Sequence, residues 1–215
     1  MEITYQYKDY GFHDQQALHS HSYLLPSIIK FLDKTKNLKI LDVGCGNGWI
    51  ACQLINLGFD VYGIDASESG IQAAKQTYPD RFYLQNLESN CLPEELNGIS
   101  FDTIISTEVI EHLYSPTSFF EFCKTILLKR EGELIISTPY HGYLKNLLLA
   151  FTGKMDQHFT VLWEGGHIKF WSVKSLKKIL NEHNFKLIGF KGCGRIPLIW
   201  KSMLVKAIYG NIIKD

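Results

Sequence analysis

The chain has 215 residues, of which 46% are hydrophobic and 20% are charged, and its formal net charge is zero. These values suit one soluble α/β domain over residues 1–215, and the neutral balance argues against a protein that coats nucleic acid. The five cysteines are scattered without a Cys-x-x-Cys pair, which indicates reduced thiols in a cytoplasmic protein. We expect no signal peptide and no membrane-spanning segment, because no apolar run is long enough.

The neutral total hides an uneven distribution of charge. From Tyr140 to the end there are 12 Lys or Arg and 4 Asp or Glu, a balance of +8. Since the whole chain has 22 of each, the remainder carries 10 and 18, a balance of −8. The basic part favours an anionic partner, either a membrane surface or a phosphorylated substrate, although solvated lysines on late helices would give the same pattern.

The predicted elements begin with an N-terminal arm and helix over residues 1–37, in which apolar positions from 13 to 34 follow a helical period. Strands are then predicted at 40–43, 61–64, 82–85, 101–106, 132–138 and 185–190, alternating with helices that include 67–76, 115–128 and 172–181. This alternation predicts a doubly wound, mostly parallel sheet of the α/β class. Residues 140–171 break it, and we interpret them as a substrate-binding or lid insertion after the fifth strand.

A turn with three glycines separates the first predicted strand from the helix that follows it. Gly44, Gly46 and Gly48 are spaced as Gly-x-Gly-x-Gly, and a helix that begins here offers free N–H groups at the carboxyl edge of the sheet. A dinucleotide-binding turn would need its third glycine where Trp49 stands, so nicotinamide binding fits poorly. Asp65 ends the next predicted strand, about 20 residues further on.

With these residues the chain resembles the class I S-adenosylmethionine (SAM) methyltransferases, whose motif I is such a glycine turn followed by an acidic residue. The resemblance implies a Rossmann-like sheet of seven strands, the last of which, 202–209, is antiparallel to the others. It implies SAM as the methyl donor and the following cofactor-binding residues: Asp42, Gly44, Cys45, Gly46, Gly48, Asp65, Ala66, Asn86, Leu87 and Thr107. Asn86 departs from the family pattern, which commonly has Asp at the end of the third strand.

Carboxylates and an imidazole follow the fourth predicted strand, in the run 107–113. If the backbone is helical there, Glu108, Glu111 and His112 share one face, because positions i, i+3 and i+4 are neighbours. His167 follows two glycines where the insertion ends and could fold back over the same place. Two carboxylates with imidazoles form a plausible set of ligands for Mg²⁺ or another divalent cation such as Mn²⁺ or Zn²⁺.

The same cluster has a second interpretation. Many class I methyltransferases carry a Glu-His pair after the fourth strand that binds no metal and helps to hold the local turn. Without a metal, His112 or His167 becomes a candidate general base, since imidazole titrates near neutral pH.

The run Glu-Val-Ile-Glu-His-Leu at 108–113, with a later Gly-His at 166–167, resembles the ubiquinone-biosynthesis O-methyltransferases. Its Glu-x-x-Glu-His part is shared with the methyltransferases that modify the 3′-terminal ribose of small RNAs. Both families act on neighbouring oxygens, a catechol in the first and a ribose diol in the second. The resemblance therefore implies a SAM-dependent O-methyltransferase for a small diol, most simply a catechol-like one, with or without a prenyl tail and with or without a metal ion.

Residues 143–154 follow an amphipathic helical pattern. One helical face holds Tyr143, Leu144, Leu147, Leu148 and Phe151. The segment is too short to span a bilayer but could lie in its surface, as a peripheral membrane contact. The resemblance points the same way, since ubiquinone-type methyltransferases are thought to recruit a lipid-tailed substrate here. A lid over the substrate is the alternative interpretation.

Two other functions stay open from the sequence. A ribose or sugar O-methyltransferase, including one for RNA 3′ ends, could use the same cluster, but the chain has few arginines for phosphate contacts: Arg81, Arg130 and Arg195. A non-catalytic SAM-binding protein is disfavoured by the many polar groups expected at the sheet edge. The sequence does not indicate an oligomeric state.

Overall fold

The computed structural model describes residues 9–36, 39–86, 91–127, 132–159, 162–163 and 165–210. Within them the strands are β1 (Lys39–Val43), β2 (Asp60–Asp65), β3 (Phe82–Leu84), β4 (Thr103–Thr107), β5 (Glu133–Pro139), β6 (Phe185–Cys193) and β7 (Ser202–Tyr209). The α-helices are α1 (His21–Phe31), α2 (Trp49–Asn56), α3 (Glu68–Lys75), α4 (Pro116–Ile126), α5 (Tyr143–Phe151), α6 (Met155–Phe159) and α7 (Val173–Glu182).

All seven strands form one sheet in the order β3-β2-β1-β4-β5-β7-β6. Strands β1 to β5 pair in parallel, whereas β7 is antiparallel to both β5 and β6. This confirms the predicted fold class, a doubly wound and mostly parallel α/β sheet. The strand order reverses between β1 and β4, and ligands of such sheets bind beyond the carboxyl ends of the strands at that point.

Helices cover both faces of the sheet and bury its apolar side chains. On one face Phe119 of α4 and Leu176 of α7 are almost fully buried. On the other face α1 and α2 bury Leu24 and Leu54, which are fully enclosed. Burying one such side chain contributes about 2 kcal/mol to the free energy of folding. The two layers of helices therefore stabilise the sheet and hold the carboxyl ends of its strands in place.

The N-terminal helix is shorter than the sequence pattern predicts, because α1 begins at His21 and not at residue 13. Residues 9–20 form neither a helix nor a strand, and they lie over the glycine turn. The Asn47 side-chain amide donates to the carbonyls of Asp14 and Gln16, at 3.0 and 2.8 Å. These hydrogen bonds tie the carbonyl groups of the arm to the turn, so that they are not available for a helix. For this reason the helix is shorter than the spacing of apolar residues predicts.

Residues 140–171 contain α5, α6 and an extended stretch that reaches Trp171. Alternation resumes at α7, where the Ser172 hydroxyl accepts from the Ser175 N–H at 3.1 Å in a capping box. That the segment is an insertion stays a prediction. Among the residues that the structure describes, no helix is long and apolar enough to cross a membrane.

Candidate active site

The glycine turn between β1 and α2 has a backbone that other residues would strain. Gly44 has a φ of 78°, and a Cβ built on it would lie 2.4 Å from the Cγ2 of Val109. Gly48, with a φ of 72°, is the N-cap of α2. The turn therefore depends on glycine both for its left-handed conformation and for the close approach of the loop after β4.

Asp65, at the end of β2, closes the turn from below. One carboxylate oxygen accepts from the Gly46 N–H at 2.7 Å and the other from the Ser67 N–H at 2.7 Å. Burial raises the pKa of Asp65, and these two N–H groups oppose that effect by stabilising the carboxylate. The residue stands where the sequence predicts, with its oxygens already bound to the main chain.

Asp42 lies under the same turn and is only 1% exposed. Its Oδ1 is buried without a hydrogen-bond partner among the described residues. Burial, and secondly the charge of Asp65, raise the pKa of Asp42 to about 7. A buried acceptor without a donor costs free energy, so this position fits the ammonium group of a bound amino-acid moiety such as that of SAM.

The other predicted cofactor residues differ in what they present. The Cys45 N–H donates to the Ile64 carbonyl at 3.1 Å, and the Cys45 thiol is buried, which raises its pKa well above the ordinary value. This thiol is therefore not exposed to a ligand at the sheet edge. Three further residues lie at or just after strand ends, half-buried or exposed: Ala66, Asn86 and Thr107. Leu87 lies outside the described residues.

An N-terminal arm that the sequence does not assign to the site covers this turn. The Asp9 carboxylate accepts from the Ser67 hydroxyl at 3.0 Å and from the Ser69 N–H at 2.9 Å. The ring of Phe12 packs over Gly46, with its Cζ 3.2 Å from where a Cβ on that glycine would be. The only sequence signal for this contact is the alternation of aromatic residues near the N-terminus.

The loop after β4 is a turn and not the helix on which the predicted shared face depends. Glu108 has a φ of 55°, so its backbone is left-handed. Its carboxylate accepts from the Ser137 hydroxyl at 2.7 Å and from the Ser202 hydroxyl at 3.0 Å. Burial raises the pKa of Glu108 to about 7, against these two hydrogen bonds. Glu108 is therefore held by hydroxyl groups of β5 and β7, and it does not belong to the group of side chains whose ligand atoms come together.

The other three predicted metal ligands do come together. Glu111, His112 and His167 each offer a ligand atom, and these atoms lie within 4.8 Å of one another. Glu111 is fully buried, and neither of its carboxylate oxygens has a partner at hydrogen-bond distance in the described part of the chain. Burial, and secondly the charge of Glu108, raise the pKa of Glu111 well above its ordinary value. The neighbouring Thr138 hydroxyl, itself unpaired among the described residues, opposes this shift.

Backbone hydrogen bonds bring His167 to this group. The N–H groups of Ile168 and Lys169 both donate to the Glu111 carbonyl at 2.9 Å. The indole N–H of Trp171 donates to the Ile110 carbonyl at 3.3 Å. The end of the 140–171 segment is thus fastened along the loop after β4, and this pairing places the His167 and His112 rings 4.9 Å apart.

The tautomer of His112 follows from its partner. Its Nδ1 lies 2.9 Å from the Gly165 carbonyl, which can only accept, so Nδ1 carries the proton. Nε2 therefore keeps its lone pair and lies 4.0 Å from a Glu111 oxygen. The Tyr10 hydroxyl donates to the same carbonyl at 3.1 Å and lies 3.1 Å from Nδ1, so the arm also reaches this histidine.

A second group of polar side chains, missed from the sequence, lies nearby in the 140–171 segment. It consists of the buried His141 and Lys145, which are 7% and 8% exposed, and of His158 on α6, which is half-buried. The His141 and His158 rings are 5.2 Å apart. The charges of His158 and Lys145 help to lower the pKa of His167 to about 4, after the larger effects of burial and of His112. Polar residues within an otherwise apolar segment were the available signal.

Comparison with known proteins agrees with this architecture. Residues 15–189 match the family described as methyltransferase domain. A ubiquinone biosynthesis O-methyltransferase of Rhodopseudomonas palustris is 34% identical over 181 residues, which are 80% of this chain and 68% of that protein. The same-named protein of Roseobacter denitrificans is 30% identical over 169 residues, which cover 77% of this chain and 66% of that protein. The chain thus spans about two thirds of the length of these relatives.

Solved structures share the fold at lower identity. The magnesium protoporphyrin IX methyltransferase of Synechocystis, crystallised with bound S-adenosylhomocysteine, superposes with a TM-score of 0.65 at 20% identity, covering 87% of this chain and 82% of the other. A family match over most of the chain, joined to this sheet topology, settles the assignment. The chain belongs to the methyltransferase-domain family and is a class I SAM-dependent methyltransferase.

Proposed function

We propose that the protein is an O-methyltransferase for one hydroxyl of a small, catechol-like diol, and that Glu111, His112 and His167 bind a divalent cation. One observation carries the proposal. A fully buried carboxylate without a hydrogen-bond partner lies beside two imidazoles, on the loop that contacts the glycine turn. A mixed carboxylate and imidazole set suits Mg²⁺, Mn²⁺ or Zn²⁺, and the names of the sequence relatives support an oxygen acceptor.

The residues of the turn would hold the donor. SAM supplies a methyl group on a positively charged sulfur, which leaves as a neutral thioether after transfer to the acceptor oxygen. Asp42 would accept hydrogen bonds from the ammonium group of the donor, and Asp65, whose oxygens already fix Gly46 and Ser67, would hold the ribose. Phe12 of the arm excludes water from the turn, which strengthens the electrostatic interactions within it.

The cluster residues would orient the acceptor. A bound divalent cation lowers the pKa of a hydroxyl that it contacts and can hold both oxygens of a diol. The Gly165 carbonyl fixes the proton of His112 on Nδ1, and so directs the Nε2 lone pair inward. The buried Glu111 keeps both oxygens available, and Glu108, held by two hydroxyls, adds a negative charge beneath it.

A cation-free variant of the same function uses an imidazole as the general base. Burial, first of all, lowers the pKa of His167 to about 4 and also lowers that of His112. Both rings are therefore neutral at pH 7 and able to accept a proton from the acceptor hydroxyl. In this variant the negative charge of the Glu111 carboxylate would stabilise the imidazolium that forms when the histidine accepts the proton.

We further propose that α5 lies on a membrane surface or on the lipid tail of the acceptor. Its outward face is apolar and exposed: Tyr143 is 83%, Leu147 50% and Phe151 89% exposed. An apolar helical face in the basic part of the chain suits the surface of an anionic bilayer. Alternatively, the same apolar face would pack over the acceptor as a lid. Flotation with lipid vesicles, described in the Discussion, separates these two roles.

The test of the proposal is methyl transfer from labelled SAM to catechol. For His167→Ala, and for wild-type protein treated with a chelator, we expect turnover to fall by about 100-fold or more, because the group that orients the acceptor is lost. Affinity for S-adenosylhomocysteine, measured by calorimetry, should change by less than about threefold, since the turn is untouched. His13→Ala, which removes an exposed imidazole, is the matched control.

The possible outcomes separate the alternatives. Unchanged turnover after chelation together with loss in His167→Ala would reject the cation and leave the general base, whose pKa would then appear in the pH–rate profile. Donor binding without methylation of catechol or of any other diol tested would reject the proposed reaction.

A further inference from the structure

We propose that Lys145, His141 and His158 bind an oxyanion group, a carboxylate or a phosphate, carried by the methyl acceptor. The proposal rests on the proposed function, since it places this group beside His167 in the same site. The three side chains come from one segment, Lys145 from α5, His158 from α6 and His141 from the loop before α5.

The two histidines of this group have buried ring nitrogens without hydrogen-bond partners. These are both ring nitrogens of His141 and the Nε2 of His158, as far as the described residues show. The Asn146 side chain is a polar neighbour of the His141 ring, and it raises the pKa of that ring slightly against the effect of burial. His141 is 93% buried, with 7% of its surface exposed. Buried polar groups in native proteins are nearly always paired, so a set of unpaired ones indicates a site whose partner is a ligand.

The charge of the group is positive, and Glu108 offsets it only in part, by raising the pKa of Lys145 against the larger effects of burial and of Arg195. Lys145 makes one hydrogen bond to the described chain, from its Nζ to the Lys201 carbonyl at 3.4 Å, and no described carboxylate lies within ion-pair distance of it. The nearest negative charge, Glu108, is bound by Ser137 and Ser202. The pKa of Lys145 falls to about 8, mainly through burial and then through the charge of Arg195, so an anion here would relieve both effects.

The same features exclude a second cation site. Burial, followed by the charges of Lys145 and His158, lowers the pKa of His141 to about 4, which keeps its ring neutral. A neutral imidazole can donate one N–H to an anion, but an ammonium group repels a metal ion. In the described part of the chain, the one group of three metal-ligating side chains is Glu111, His112 and His167. An oxyanion is therefore the ligand that fits.

Aromatic rings hold His141 in place. Phe159 stacks on His141 with ring centroids 5.9 Å apart and planes at 11°, and Phe170 meets His141 edge-on at 5.2 Å. Phe159 and Phe170 also meet each other at 4.8 Å. These mutual contacts fix the orientation of the imidazole, and an imidazole of fixed orientation can donate its N–H in a defined direction.

The test compares matched ligands by calorimetry on the full chain saturated with S-adenosylhomocysteine. The diol 3,4-dihydroxybenzoate is compared with its neutral amide, and phenyl phosphate is compared with phenol, so that the two arms distinguish carboxylate from phosphate. We expect at least one anion to bind about tenfold more tightly than its neutral partner, the size of one hydrogen bond to a charged group.

Variants connect this preference to the lysine. Lys145→Met should abolish the preference for the anion and leave binding of the neutral ligand within about twofold, whereas Lys145→Arg, which keeps the charge, should retain it. Lys154→Met, an exposed lysine just beyond α5, is the matched control. His141→Gln should weaken binding of the anion by about threefold, because one donor is misplaced.

The readout does not require methyl transfer, so the two proposals fail separately. Equal affinities for each anion and its neutral partner in the wild type, or a preference that survives in Lys145→Met, would overturn the anion site even if catechol is methylated. A preference that Lys145→Met abolishes, in a protein that methylates no diol, would support the site and reject the proposed reaction. Should Lys145→Met fail to fold, the comparison of wild type with His141→Gln decides.

Discussion

The two sides of the sheet edge satisfy their polar groups in different ways. On the donor side, Asp65 and Asp9 bind N–H and hydroxyl groups of the chain itself, across the turn and the start of α3. On the acceptor side, Glu111 and His141 are buried without such partners among the described residues. On the donor side the chain thus satisfies most polar groups itself, with the Oδ1 of Asp42 as an exception, whereas the carboxylate and imidazole of the acceptor side have no such partners among the described residues.

In the proposed function this difference follows from what each side would bind. The donor side lies at strand ends, whose positions are fixed by the sheet. The acceptor side combines the loop after β4 with the 140–171 segment, whose helix α5 exposes its apolar face. Since unpaired buried polar groups cost free energy, the acceptor side is stable only because the sheet and its two cores support it.

The largest effect is expected from filling the donor side. In Gly44→Ala the new Cβ would meet the Val109 side chain at 2.4 Å on a backbone with a φ of 78°. We expect binding of S-adenosylhomocysteine to be lost in calorimetry, and the free energy of unfolding in urea to fall by about 2–4 kcal/mol.

The control for this substitution is Gly98→Ala. Gly98 also has a positive φ, 83°, but a Cβ there meets nothing within 4 Å. Gly98→Ala should lower the free energy of unfolding by about 1–2 kcal/mol, through backbone strain alone, and should leave cofactor binding intact. Equal losses of stability in the two variants would show that the contact with Val109 is unimportant.

The second prediction compares how the contributions of the two sides to folding stability depend on pH. The pKa of Asp42 is raised from 3.8 to about 7, so its neutral form stabilises the fold at low pH and this contribution is lost as pH rises toward 7. The pKa of His141 is lowered from 6.5 to about 4, so its contribution is present above pH 6.5 and lost as pH falls toward 4.

Measured relative to the wild type, the stabilities of two variants should therefore change with pH in opposite directions. Asp42→Asn should gain relative stability as pH rises from about 4 to 7, by at most about 1.4 kcal/mol per pH unit. His141→Asn should gain it as pH falls from about 6.5 to 4. Urea unfolding at a series of pH values measures both. Parallel slopes would contradict the assignment of a buried acid to one side and a buried base to the other.

The smallest effect concerns the exposed face of α5. Leu147→Glu/Leu148→Glu should reduce flotation with phosphatidylglycerol vesicles by about fivefold, since two half-exposed leucines are replaced by charges. Leu57→Glu changes a leucine of similar exposure, 43%, after α2 and should float like the wild type. If all three proteins partition equally, α5 does not contact the membrane and the lid interpretation gains.

The donor side could be predicted from the sequence because its signals are local. The glycine spacing, the strand that precedes it and Asp65 at the end of the next strand all lie within 30 residues, and the alternation of strands and helices gave the sheet. Glu111, His112 and His167 lie together as predicted, but Glu108 does not join them, because the backbone after β4 is a turn and not the predicted helix. A left-handed Glu108 could not be anticipated, since the conformation is rare outside glycine and asparagine.

Contacts between distant parts of the chain account for what could not be predicted. Tyr10 lies 102 positions from His112, and no period or spacing relates them. The burial of His141 and Lys145 depends on how α5 and α6 pack, which an amphipathic pattern leaves undetermined. The spacing of apolar residues likewise predicted residues 13–20 as part of α1. That spacing contains no information on the hydrogen bonds from Asn47 to the arm.

The N-terminal arm has a consequence for the order of events in each catalytic cycle. Phe12 covers the glycine turn, while Asp9 and Tyr10 fasten the same few residues to Ser67, Ser69 and Gly165. In the proposed function, release of the spent donor from this turn would require these bonds to open, and the contact of Tyr10 with His112 would open with them. One movement of the arm would then expose both proposed binding sites.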